Sequence, residues 1–179
     1  MTFTPLRLAG AILIEPTVRS DARGWFFESY HQQQFAAAGI AAAFVQDNHS
    51  RSAKGTLRGL HYQIAPAAQG KLVRVVRGAA FDVGVDIRPD SPTRGHWIGE
   101  TLSVENKRTL YLPPGFAHGF LALEDDTDVL YKVTAPYSPA HERGILWNDP
   151  TLAIRWPDLG MDVLIAERDQ RFPRWKAMA

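Results

Sequence analysis

Between Phe81 and Ile87 the chain alternates without exception: Phe81, Val83, Val85 and Ile87 are apolar, and Asp82, Gly84 and Asp86 are not. In a helix this pattern would spread the apolar groups around the whole cylinder. In a strand it builds two different faces. The segment therefore belongs in a sheet, with one polar side. Other short β-type runs fall at 11–14, 24–30, 44–46, 57–63, 72–77, 97–104, 108–112, 120–123 and 129–134, separated by Gly, Pro, Asn and Asp turn signals. Many short strands at such spacing predict an all-β fold, a jelly-roll barrel or sandwich with a few short peripheral helices. One helix is predicted over 31–38, with Gly39 as the residue that ends it. The stretch 148–179, rich in Pro and charge, is expected to wrap the barrel as loops and short helical turns.

A chain of 179 residues, 45% of them apolar, is long enough to bury a proper core, and no linker or repeat divides it. A single domain over 1–179 is expected. The net charge is +1 with both signs interleaved, so no nucleic-acid-binding stripe is indicated. Without cysteine there is no disulfide, thiolate metal site or thiol nucleophile. No apolar run approaches the roughly 20 residues needed to cross a bilayer, and the opening Met1–Thr2–Phe3–Thr4–Pro5 is not leader-like. A cytoplasmic protein is expected.

Two segments hold basic groups in otherwise apolar surroundings: Leu57–Arg58–Gly59–Leu60–His61–Tyr62–Gln63 and Gln69–Gly70–Lys71–Leu72–Val73–Arg74. Burying such groups costs several kcal/mol unless an anion or a reacting group uses them. The pattern points to a negatively charged ligand, with His61 placed to move a proton.

Several ordered blocks resemble the dTDP-4-dehydrorhamnose 3,5-epimerase family, which is built on a cupin-type jelly roll. They are residues 21–30, Gln46–Asp47–Asn48–His49–Ser50, residues 57–63 and 69–74, Pro113–Pro114–Gly115–Phe116–Ala117–His118–Gly119–Phe120, residues 130–132, 137–139 and 145–149. The resemblance spans nearly the whole chain. It implies epimerisation at C3 and C5 of dTDP-4-dehydro-6-deoxy-D-glucose without a cofactor, in dTDP-L-rhamnose synthesis for polysaccharide. It also implies a homodimer with an N-terminal strand carrying Arg23 and Glu28 into the partner's site; charge and hydropathy give the expectation of no nucleic-acid or membrane partner.

Inverting a carbon beside a ketone needs a base, a group to hold the enolate oxygen, and an acid on the opposite face. His61 suits the base, since imidazole is partly free near neutral pH. Lys71 suits the enolate as a compact positive charge, and Tyr131 the acid, a phenol having an unperturbed pKa of about 10. The resemblance points to Asp169 as the carboxylate that orients His61. For a diphosphate clamp the planar forks of Arg23, Arg58 and Arg168 are the natural candidates. By resemblance Glu28, Gln46, Asp47, Asn48, His118 and Glu142 complete the pocket, with Tyr137 or Phe26 stacking on the thymine.

Strict alternation sets Arg58 and His61 on opposite faces. Both reach one ligand only if Gly59 sits in a bulge or Arg58 lies at the rim. A metal site is not expected: Gln63 stands where the first cupin motif has a histidine, and Lys71 would repel a cation. Asp82 has two readings, a contact to Lys71 inside the barrel or a structural acceptor. Trp147–Asn148–Asp149 reads as a packing and turn element. The rival functions are a single-centre epimerase of the same family, a metal-dependent cupin enzyme, and a sugar-nucleotide binding module without catalysis.

Overall fold

The structure is a computed structural model and describes residues 1–175. The alternating runs become strands of two antiparallel sheets packed face to face. The first sheet contains β1 (Thr2–Pro5), β2 (Ile12–Glu15), β5 (Gln46–Ser52), β7 (Lys71–Arg77), β10 (Thr109–Leu112) and β12 (Thr127–Val133). Their order across the sheet is β1-β2-β10-β7-β12-β5. The second contains β6 (Thr56–Gln63), β8 (Ala79–Asp86), β9 (Trp97–Ser103), β11 (Phe116–Ala122) and β13 (Glu142–Gly144), in the order β13-β6-β11-β8-β9. A short β14 (Leu164–Ile165) runs parallel beside β6. A separate hairpin pairs β3 (Arg19–Asp21) with β4 (Gly24–Phe26). This is the cupin-like jelly roll, open as a sandwich.

Three apolar layers hold it together. Between the sheets, Leu13, Val73, Val75, Leu110 and Val129 meet Ala80, Ile98, Leu102 and Phe120. Behind the first sheet, α1 (Gln32–Ala37) presses Phe35 onto Ile12, Ile14, Leu72 and Tyr111. Behind the second, Val83, Val85 and Ala117 are covered by Ile145, Leu152, Ile154 and Trp156. The apolar face of 81–87 thus lies under the C-terminal wrap, and Asp82 and Asp86 turn into the sandwich. Val83 and Val85 are fully buried, worth about 1.5–3 kcal/mol each.

The differences from the expected elements have local causes. Strand β4 stops at Phe26, short of the predicted Tyr30, because Tyr30 is drawn into the cluster around Phe35 and Phe44. Strand β5 runs on to Ser52 although it is polar throughout, because β12 supplies a full ladder of backbone partners, Asn48 opposite Tyr131. Gly39 follows the end of α1 with φ +91°, the left-handed conformation its position requires. Among the described residues no helix is long and apolar enough to cross a membrane.

Candidate active site

The site begins with an irregularity in β6. On β11, His118 lies opposite His61 and Phe120 opposite Arg58, so three steps on β6 match two on β11. The extra residue is a bulge, and it returns Arg58 and His61 to the same face. Gly59 makes it possible: its φ is +137°, and a Cβ there would stand 2.6 Å from the Gly119 Cα. The two faces required by simple alternation are thereby merged into one.

His61 has an imidazole a quarter exposed, and its Nε2 lies 2.9 Å from Asp169 Oδ1. Asp169 is carried on α2 (Glu167–Gln170), and its other oxygen accepts the Gly59 backbone N–H at 3.1 Å. Burial raises the Asp169 pKa. The hydrogen bond and charge of His61, the Gly59 N–H and Arg168 more than reverse that and hold the carboxyl below its usual value. An ionised Asp169 accepts from Nε2–H and leaves Nδ1 to take a proton.

Across the sandwich, Lys71, Val73 and Val75 share the inward face of β7, and Tyr131 lies on the inward face of β12. Lys71 is buried, and its Nζ donates to the His61 carbonyl at 3.3 Å. Burial pulls its pKa down to about 8, while Asp82 and Glu142 pull the other way. Tyr131 is pushed up, mainly by burial; Arg58 opposes this and Glu142 adds to it. His118 is buried beside Asp82, its Nε2 2.9 and 3.1 Å from the two carboxylate oxygens. Burial lowers its pKa first; Asp82 opposes, and the charges of Lys71 and His61 lower it further.

At the rim, Arg168 donates to Glu142 Oε2 at 2.8 Å, and its Nη2 lies 3.4 Å from His61 Nε2. Tyr137 O–H donates to the same Glu142 oxygen at 2.9 Å. Gln46 accepts the Tyr137 N–H and donates to Asn48 Oδ1. Arg58 is steadied by Ser52 Oγ and the Arg51 carbonyl, both at 3.1 Å. The interior is therefore lined by a histidine, a lysine and a phenol, with two arginines at its mouth and the Asp82, Glu142 and Asp169 carboxylates among them.

Four expected pocket residues lie elsewhere in this chain. Asp47 is the clear correction: it alternates with Asn48 and points out of the opposite face, where it pairs with Lys132 at 2.8 Å. Arg23 and Phe26 stand on the β3–β4 hairpin, 89% exposed at the Arg23 side chain and 70% at Phe26, and Arg23 pairs with Asp21. Glu28 is exposed and accepts from Gln34. Gln63 uses its amide on the Ala67 and Pro136 carbonyls and the Ser138 N–H, so it ties two loops together. Asp149 accepts from the N–H groups of Thr151, Leu152 and Trp175, a turn and packing role.

One neighbour of the site carried no sequence signal. Phe172 places its ring 5.5 Å from the His61 ring, edge to face. Nothing in the run Arg171–Phe172–Pro173 marks it, because its contact is made by strands distant in the chain.

Comparison with known proteins gives a consistent set. A family model described as dTDP-4-dehydrorhamnose 3,5-epimerase matches residues 5–177. A Pseudomonas aeruginosa protein of that name is 55% identical over 172 residues, covering 96% of this chain and 94% of the relative. A Legionella pneumophila 3,5-epimerase, solved in complex with dTDP-4-keto-L-rhamnose, has a TM-score of 0.92 at 46% identity, covering 97% of this chain and 92% of that one. A 3'-monoepimerase from Streptomyces bikiniensis, in complex with dTDP-quinovose, has a TM-score of 0.89 at 36% identity, covering 96% and 86%.

Proposed function

The chain belongs to the dTDP-4-dehydrorhamnose 3,5-epimerase family, and on that premise we propose that His61 and Tyr131 are its two proton-transferring groups. It is an isomerase that epimerises dTDP-4-dehydro-6-deoxy-D-glucose at C3 and C5, giving dTDP-4-dehydro-L-rhamnose. The observation that carries the residue assignment is His61, paired with Asp169 of α2, on the inward face of one sheet, with Tyr131 on the inward face of the other and Lys71 buried between them.

Both centres flank the C4 ketone, so both protons are acidic in the same way. His61 takes an α-proton through the nitrogen that Asp169 leaves free, and Asp169 stabilises the imidazolium that forms. The electrons move onto the C4 oxygen, where the Lys71 ammonium balances the charge in a site of low dielectric. Tyr131 returns a proton from the opposite face, and its raised pKa keeps the phenol protonated until the enolate calls for it. Arg58 and Arg168 meet the diphosphate as planar forks. Gln46, Asn48, Tyr137, Glu142 and His118 border the nucleotide and sugar.

The hairpin supports a homodimer: an arginine and two large aromatics, Trp25 and Phe26, are held out in solvent, away from their own site. In the proposed dimer Arg23, Phe26 and Glu28 enter the partner's pocket. Mixing inactive Arg23→Ala and His61→Ala proteins would then restore activity in heterodimers; a mixture as dead as its parts rules this arrangement out. We also propose one domain over 1–179 and a cytoplasmic place of work.

Turnover of dTDP-4-dehydro-6-deoxy-D-glucose in deuterium oxide, followed by NMR, tests the assignment. Label is expected at C3 and C5, with Tyr131→Phe losing inversion while keeping exchange on the His61 side. Label at one carbon only would place the chain with single-centre enzymes such as the Streptomyces bikiniensis relative.

A further inference from the structure

The segment that carries Asp169 is tied to the sheet before α2 by β14 beside β6 and, on α2, by the Arg168–Glu142 and His61–Asp169 pairs. Asp169 itself accepts from Gly59, and beyond α2 the Pro173 carbonyl accepts from the Leu146 N–H at 2.9 Å. Between these anchors lies Phe172. Its ring is seated on the backbone of Gly144, where a Cβ would fall 2.3–2.4 Å from three ring carbons. Gly144 is the residue of β13 that pairs with His61. The same ring meets the His61 imidazole edge to face, centroids 5.5 Å apart at 80°, and carries the Arg168 guanidinium 5.8 Å from its centre. One aromatic side chain therefore touches the base, the rim arginine and the strand that backs both.

We propose that Phe172 is a positioning residue for the epimerase reaction, a peg that locks α2 onto β6 and holds the His61 ring in plane with Asp169, with Gly144 as its socket. The inference rests on His61 being the base. Hydrogen bonds and ion pairs at Arg168 and Asp169 tie α2 to the site but leave the tilt of the imidazole to packing; an aromatic ring lying against glycine backbone sets that packing, and the edge-to-face contact fixes the imidazole plane. Proton transfer is steep in geometry, so a loosened base loses rate before the site loses affinity.

The test is a double-mutant cycle with Phe172→Ala, Gly144→Ala and the pair. Gly144 has no positive φ, so alanine is tolerated by the backbone and acts by evicting the ring. Each single change is expected to lower kcat about tenfold, a fraction of the roughly hundredfold that a 1 Å misplacement can cost. KM for the dTDP-sugar and the Kd for dTDP should stay within about threefold, and Phe172→Tyr should restore kcat by keeping the ring. Combined, the two should be no worse than either alone, because both remove one contact. Additive losses, or unchanged kcat in folded Phe172→Ala protein, would overturn the proposal. If kcat is unaffected by His61→Ala as well, the assignment of the base fails instead, and the two outcomes are distinct.

Discussion

Two histidine–carboxylate pairs stand side by side in one sheet, His61 with Asp169 and His118 with Asp82, and the two histidines are direct cross-strand partners. Their bonding is nearly the same; their access to water is not. Asp82 is fully buried and His118 nearly so, and burial there lowers the histidine's pKa. The His61 ring is open at the pocket mouth. A buried neutral imidazole is a fixed dipole, whereas an imidazole at the mouth can exchange its proton with a ligand. Access to solvent separates a histidine that keeps its protonation state from one that transfers a proton when the residue types alone do not.

The largest expected effect breaks the comparison directly. His61→Ala should lower kcat by about 10³, within the usual worth of a general base, while dTDP affinity changes less than about threefold. NMR of exchange and calorimetry of dTDP binding measure the two separately. A comparable loss of dTDP binding would make His61 a binding residue and erase the contrast with His118.

Asp82→Asn sharpens it from the buried side. Removing one partner of a buried pair should cost roughly 1–3 kcal/mol of stability, read by urea unfolding. It also acts on Lys71, whose pKa of about 8 is held up in part by the Asp82 charge. Lys71 is protonated below that value and loses its charge as pH rises through it, so kcat in the wild type should fall above about pH 8. In Asp82→Asn the fall should begin at lower pH. An unmoved alkaline limb would show that Lys71 does not set it.

The smallest effect is expected at Asp47. Its partner Lys132 is on the outer face, and an exposed ion pair contributes at most about 1 kcal/mol. Asp47→Ala should leave kcat/KM within about threefold, in contrast to Asn48→Ala one residue along. A large loss would return Asp47 to the pocket.

Much of the fold was legible because it is written in nearest-neighbour patterns. The alternation at 81–87, the β runs and the glycine after α1 each depend on a few adjacent residues. Strand β5 was not legible, since Gln46 to Ser52 has no apolar period: its inward face lines a polar site and needs none. The site divides similarly. His61, Lys71 and Tyr131 stood out by type within ordered blocks. Asp47 was misplaced because a block of polar residues does not say which of them face inward, and register against β12 settles that.

By itself the sequence determined a β-rich chain with a glycine at position 59 and a histidine, a lysine and a phenol suited to moving protons beside a ketone. Only the tertiary structure decided that the Gly59 bulge turns Arg58 and His61 to one side, that Asp169 crosses 108 positions to reach His61, and that Phe172 packs edge to face on the same imidazole. Backbone periodicity is a local energy, felt within a few residues. Contacts between distant segments follow from how whole sheets pack, and no short stretch of sequence holds that information.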